Sequence, residues 1–87
     1  MPRRLPATRP AAAPRTVAVL AWPGMESLDV TGPISVFAGA NRLLVRRGEP
    51  PAYALTLLGP RAGPVPTGEG IAIIADRAWR GLRQAPD

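Results

Sequence analysis

Apolar residues fall into three short blocks punctuated by Pro and Gly. Residues 16–21 (TVAVLA) are apolar and partly β-branched without alternation. That pattern suits a strand buried on both faces of a parallel sheet. Trp22-Pro23-Gly24 ends it, because Pro lacks a ladder donor and Gly accepts a positive φ. The next apolar pattern has helical spacing: Pro33, Phe37, Ala40 and Leu44 share one face, flanked by Ile34 and Val36. A helix is predicted over residues 33–47. Pro33 stands at its first position, where a missing N–H costs nothing, and Gly32 or Thr31 is the N-cap. Arg46 and Arg47 complement the dipole of the last turn, and Gly48 is the stop. Gly39 inside the helix costs about 1 kcal/mol relative to Ala. With Ala38 and Ala40 it offers a shallow surface for close packing on a sheet.

Glu49-Pro50-Pro51 is a loop, and residues 53–58 form the second strand. A strand, a helix and a strand in this span make a parallel βαβ unit, with a right-handed crossover expected. Residues 61–70 are rich in Gly and Pro and read as a loop or loose hairpin. Residues 71–75 (IAIIA) make a third strand, paired with residues 65–67. Asp76 is placed to cap a short helix over residues 77–82.

Composition then narrows the chemistry. The 87 residues allow one small domain. There is no Cys, hence no disulfide, no thiolate nucleophile and no sulfur metal site. There is no His, hence no imidazole base. The formal charge of +5 is unevenly spread. Residues 1–15 carry Arg3, Arg4, Arg9 and Arg15 and no acid, whereas the remainder is close to neutral. Prolines at 2, 6, 10 and 14 prevent a regular helix there, so residues 1–15 are expected to be a disordered Arg/Pro/Ala-rich tail. No apolar core of a secretory signal follows Arg3-Arg4, and nothing approaches the ~20 apolar residues of a membrane span. A cytoplasmic protein is expected, with no membrane partner.

Candidate site residues lie around the turn after the first strand. In doubly wound folds ligands bind beyond the carboxyl ends of the strands, and Gly24, Asp29 and Gly32 border that end. Taken alone, the two glycines read as turn residues and Asp29 as an acid near a helix N-terminus. Arg42, Arg46 and Arg47 make a basic helix end. Trp22 and Trp79 read as packing residues rather than stacking platforms. No G-x-G-x-x-G fingerprint is present, and neither cofactor nor metal is implied.

The same residues carry a resemblance. The segment VAVLAWPGMESLDVTGPISVFAGANRLL resembles the opening of the ThiJ/PfpI superfamily, which has a class I glutamine-amidotransferase-like, flavodoxin-like fold. The matching features are Pro23-Gly24, Leu28-Asp29-Val30, Gly32-Pro33, Phe37-Ala38 and Ala40-Asn41-Arg42. They are most similar to the GlxA-like regulators, in which such a domain precedes an AraC-type helix-turn-helix DNA-binding domain. The resemblance implies an incomplete flavodoxin-like unit over residues 16–87, a βαβ followed by a loose hairpin and a short helix. It implies that Asp29 occupies the family's acidic position, which reaches toward a nucleophilic Cys on a later turn. It also implies a small-molecule ligand, amine- or amino-acid-like, held near Gly24, Asp29 and Gly32. DNA would be contacted only through a domain absent from this chain, and the full-length protein would be a homodimer.

Three readings follow from these residues. One is the N-terminal part of the sensing domain of a transcriptional regulator. Another is a fragment of a hydrolase or isonitrile-hydratase-like enzyme, with Asp29 and a downstream Cys as its working pair. The third is a fragment without activity of its own. Two strands apolar on both faces and a single amphipathic helix leave too little cover for a cooperative monomeric fold.

Overall fold

The computed structural model describes residues 13–82. Its elements are β1 (Arg15–Leu20), α1 (Leu28–Arg46), β2 (Tyr53–Gly59), β3 (Gly63–Pro66), β4 (Ala72–Ala75) and β5 (Arg77–Ala78). The expected tail lies mostly outside the described residues, and Arg15 already belongs to β1, opposite Tyr53.

β1 and β2 pair in parallel from Arg15↔Tyr53 to Leu20↔Leu58. β5 pairs in parallel with the end of β2, giving the order β1-β2-β5. α1 connects β1 to β2, so the expected parallel βαβ unit is present. β3 and β4 form a separate antiparallel hairpin, from Gly63↔Ala75 to Pro66↔Ala72. The chain is thus a mixed α/β fold with a small parallel sheet and one helix among the described residues.

The helix begins five residues before the expected start. Leu28 is its first residue and Ser27 its N-cap, so Thr31, Gly32 and Pro33 all lie inside it. Thr31 does not cap; its hydroxyl donates back to the Ser27 carbonyl at 3.2 Å. Pro33, the sixth helical residue, removes the N–H that would have reached the Asp29 carbonyl, while the turn before it is already bonded: the Thr31 N–H donates to the Ser27 carbonyl at 2.9 Å. Tertiary contacts hold that first turn: Val30 is 1% exposed and anchors it in the core. The expected stop is where the sequence puts it. Gly48 has φ +77°, its N–H donates to the Val45 carbonyl, and the Glu49 N–H donates to the Leu44 carbonyl. These two bonds are the Schellman arrangement.

The short helix expected over residues 77–82 is not formed. Asp76 does not cap a helix; its Oδ2 accepts the Leu57 N–H at 2.9 Å, while its own N–H donates to the Leu57 carbonyl at 2.7 Å. The chain is thereby laid along β2, and Arg77–Ala78 pair as β5.

The packing expected of Gly39 is not found either. A Cβ built there would meet only the Arg42 guanidinium, at 3.7 Å, so this glycine faces away from the sheet. The inner face of α1 is formed instead by Val30, Ile34, Phe37 and Asn41. Phe37 meets Tyr53 edge-to-face with centroids 4.8 Å apart. Asn41 clamps the helix to the start of β2. Its Oδ1 accepts the N–H groups of Ala52 and Tyr53, and its Nδ2 donates to the Tyr53 carbonyl at 2.8 Å.

The core gathers at the carboxyl end of the sheet. Ala21, Met25, Val30, Leu57, Val65 and Ala75 are its buried members, with Val19, Ile34 and Ile73 packed against them. The opposite face of the sheet, bearing Ala18, Leu20, Ala54, Thr56 and Leu58, carries no helix among the described residues; Leu20 is half exposed, while Leu58 at the carboxyl end of β2 is buried.

Asn41→Ala should lower the stability of the chain by roughly 2 kcal/mol, because three half-buried backbone groups lose their partners at once. Urea denaturation checks this, and a loss below about 0.5 kcal/mol would show that water replaces the clamp.

Candidate functional site

The turn between β1 and α1 lies at the carboxyl end of β1 and is held from above by the β3–β4 hairpin. Gly24 has φ +86°, which an L side chain rarely adopts, and its N–H donates to the Pro66 carbonyl at 2.9 Å. Met25 is buried, forms a bridge with Thr67, and accepts the Gly68 N–H at 2.8 Å. A Cβ at Gly68 would stand 3.1 Å from the Gly24 carbonyl oxygen, so the hairpin tip sits directly on the turn. Thr67 is itself buried; its hydroxyl donates to the Ile71 carbonyl at 2.8 Å and shapes the tip.

The helix N-terminus is capped across the fold. The side chain of Ser27 makes no capping bond. Instead Glu69, at the hairpin tip, accepts the Ser27 N–H on Oε1 at 3.1 Å. That backbone hydrogen bond is the main reason the Glu69 carboxyl is held below its ordinary value of 4.5; desolvation opposes it, and contacts with Ser27 and Thr67 add to it.

Asp29 is the second residue of α1, in its first turn, and is exposed. Its carboxylate has no hydrogen-bond partner among the described residues, which leaves it available to solvent or a ligand at the positive end of the helix dipole. Gly32 lies one turn further on, half-buried, with open space where a Cβ would stand. Asp29 and Gly32 therefore share the first turns of α1, while Gly24 belongs to the turn beneath the hairpin.

A concavity of about 260 Å³ opens beside this turn, lined by Pro23, Pro60, Arg61, Pro64, Val65 and Pro66. Asp29 and Gly32 do not line it. Of this lining, sequence marks Pro23 as a turn residue, while Arg61 and the other prolines read as loop. The signal was the proline density itself, which gives the concavity rigid walls. Glu69 was missed as well, since a partner 42 residues away leaves no local pattern.

Of the aromatic candidates, Trp22 is half exposed on the turn, and Trp79 is half-buried with its backbone N–H on the Gly59 carbonyl at 2.9 Å. Arg46 lies in the last turn of α1 and Arg47 is its C-cap. No group of three or more His, Cys, Asp or Glu among the described residues is arranged to hold a metal ion. No helix among them is long and apolar enough to cross a membrane.

No protein-family description matches this chain, and neither does any curated protein or solved structure.

The Glu69 cap has a pH signature. A lowered folded pKa contributes stability that is present above 4.5 and is lost as pH falls through the folded value. The wild-type chain should therefore melt higher than Glu69→Gln near about pH 7, and the gap should narrow as pH falls below 4.5. A gap unchanged between those two conditions would mean that the charge of Glu69 does not hold the cap.

Proposed function

We propose that the chain is the N-terminal part of a ThiJ/PfpI-type, flavodoxin-like domain that senses a small molecule in a GlxA-like transcriptional regulator. The observation that carries this reading is the exposed Asp29 in the first turn of α1, without a hydrogen-bond partner among the described residues, at the carboxyl end of a parallel β1–α1–β2 unit. Ligands of doubly wound sheets collect at that end. An acidic group there suits a cationic ligand, which is why an amine- or amino-acid-like metabolite is the class proposed. Gly24 keeps the turn close to the strand end, and Gly32 leaves the helix surface open beside Asp29. In this reading the signal passes to a DNA-binding domain outside these 87 residues, and Asp29 binds rather than reacts. The chain has neither Cys nor His to act as nucleophile or base.

The test is ligand-induced stabilisation of the full-length protein by free L-amino acids and short primary amines. At least one member of the panel should raise the melting temperature, and Asp29→Ala should weaken that ligand about tenfold or more, as expected for loss of a charge-assisted contact. No shift with any member overturns the reading. Isonitrile hydration or amide hydrolysis that vanishes in Asp29→Ala would assign the protein to the enzymes of the superfamily instead.

A further inference from the structure

The concavity beside the β1–α1 turn takes no part in the site assigned to Asp29 and has a chemistry of its own. Three separate segments wall it: Pro23 from the turn, Pro60 and Arg61 from the loop after β2, and Pro64, Val65 and Pro66 from β3. Four of these six residues are prolines. Their fixed φ holds the walls in one shape, so little order has to be imposed when a ligand enters. Pro64 and Pro66 share the outer face of β3, because alternate residues of a strand lie on one side, while Val65 between them belongs to the core. That outer face continues onto β4, where Ile74 stands opposite Pro64 and is 62% exposed. The charged member of the lining is Arg61. It is exposed and has no ion pair or side-chain hydrogen bond among the described residues.

We propose that this concavity binds a small aromatic monocarboxylate, its ring against the prolines and its carboxylate on the Arg61 guanidinium. Size sets the upper bound. A volume of about 260 Å³ lies below the ~300 to 1,000 Å³ of drug-sized pockets, which leaves room for one ring and a short acid chain. Charge sets the sign, since a guanidinium fork matches the two oxygens of a carboxylate. The supply of donors sets the class. Proline has no N–H, so most of the lining offers nothing to replace the water around a phosphate or sulfate, whereas one fork satisfies a carboxylate. The ring follows from the prolines themselves. Their weakly positive C–H bonds meet the negative face of an aromatic ring, the match that proline-rich segments make with aromatic grooves. Such a ligand touches all three walls, so it stays bound only while the hairpin is seated on the turn. It uses neither Asp29 nor Gly32 and takes the opposite charge, and the proposal does not rest on the sensing role.

Phenylacetate titrated into the full-length protein should bind with a dissociation constant on the order of 0.1 to 1 mM, with nuclear Overhauser effects from its ring to Pro64 and Pro66. Phenylacetamide, its neutral isostere, and acetate, which lacks the ring, should each bind about fivefold more weakly or worse. Arg61→Gln should weaken phenylacetate by about the same factor, and Arg47→Gln, at the far end of α1, should leave it unchanged. The seating of the hairpin supplies a second readout. The Gly24 and Gly68 N–H groups donate to the Pro66 and Met25 carbonyls, and opening those bonds must first release the ligand. At about ten times the dissociation constant, phenylacetate should therefore slow their hydrogen exchange about tenfold. No binding below about 10 mM overturns the proposal. So does an affinity indifferent to Arg61→Gln, equal binding of phenylacetamide, displacement by equimolar inorganic phosphate, ring contacts outside the concavity, or amide exchange that the ligand leaves unchanged.

Discussion

The seating of the β3–β4 hairpin on the β1–α1 turn is the contact on which the rest of the fold depends. Without it, Ala21, Met25 and Val30 would have no lid, because Val65 and Ala75 of the hairpin close the core over them. The seating is narrow. At Gly59 a Cβ would come within 2.9 Å of the Ala75 Cβ and 3.0 Å of Val65 Cγ2, closer than side-chain atoms pack, so the end of β2 must be bare for the hairpin to lie down. Backbone bonds from Gly24 to Pro66 and from Gly68 to Met25 then fix its register over the turn. Apolar burial supplies the attraction; the bare Gly59 and the two hydrogen bonds decide where it is satisfied.

That contact also explains where α1 starts. Read locally, Gly32-Pro33 is a strong start signal, and residues 28–31 have no side-chain cap to recommend them. The structure starts the helix at Leu28 because the missing help arrives from elsewhere. Glu69 at the hairpin tip receives the Ser27 N–H, and Val30 points into the core that the hairpin closes. Proline at the sixth helical residue costs one hydrogen bond and some crowding against the Asp29 carbonyl. Burial of a valine, worth roughly 1.5 to 3 kcal/mol, and the cap together offset it.

Sequence made legible whatever was set within one element or between neighbours. Non-alternating apolar blocks identified β1 and β2 and their parallel pairing. Gly48 identified the helix end, and the Gly/Pro-rich stretch with residues 71–75 identified the hairpin. What stayed hidden was set at a distance. Asp76 has the look of a helix cap, but its carboxylate finds the Leu57 N–H across 19 residues, and a two-residue strand replaces the expected helix. Arg61 and the surrounding prolines read as loop because nothing local says that they enclose a concavity with Pro23. The candidate site was legible in part: Gly24 and Asp29 stand at the strand end where the pattern put them, but Asp29 and Gly32 lie on the helix and not in that concavity.

The structure also separates residues that the fold explains from those it does not. Asn41, one of the residues carrying the family resemblance, is fully used as a clamp between α1 and β2, so it speaks for a way of packing and not for regulator over enzyme. Gly24, Gly48, Gly59 and Gly68 each answer to a positive φ or a close contact. Gly32 and Gly39 answer to neither. Together they cost about 2 kcal/mol against alanine in a helix interior. Total stabilities are only about 5 to 15 kcal/mol, and a fold this small sits at the low end. Both glycines lie on the outward side of α1, along the line where Leu28, Val36 and Leu43 are exposed. The inner face of α1 is satisfied by the sheet, and the cost of glycine on its outer face has no counterpart among the contacts of the described residues.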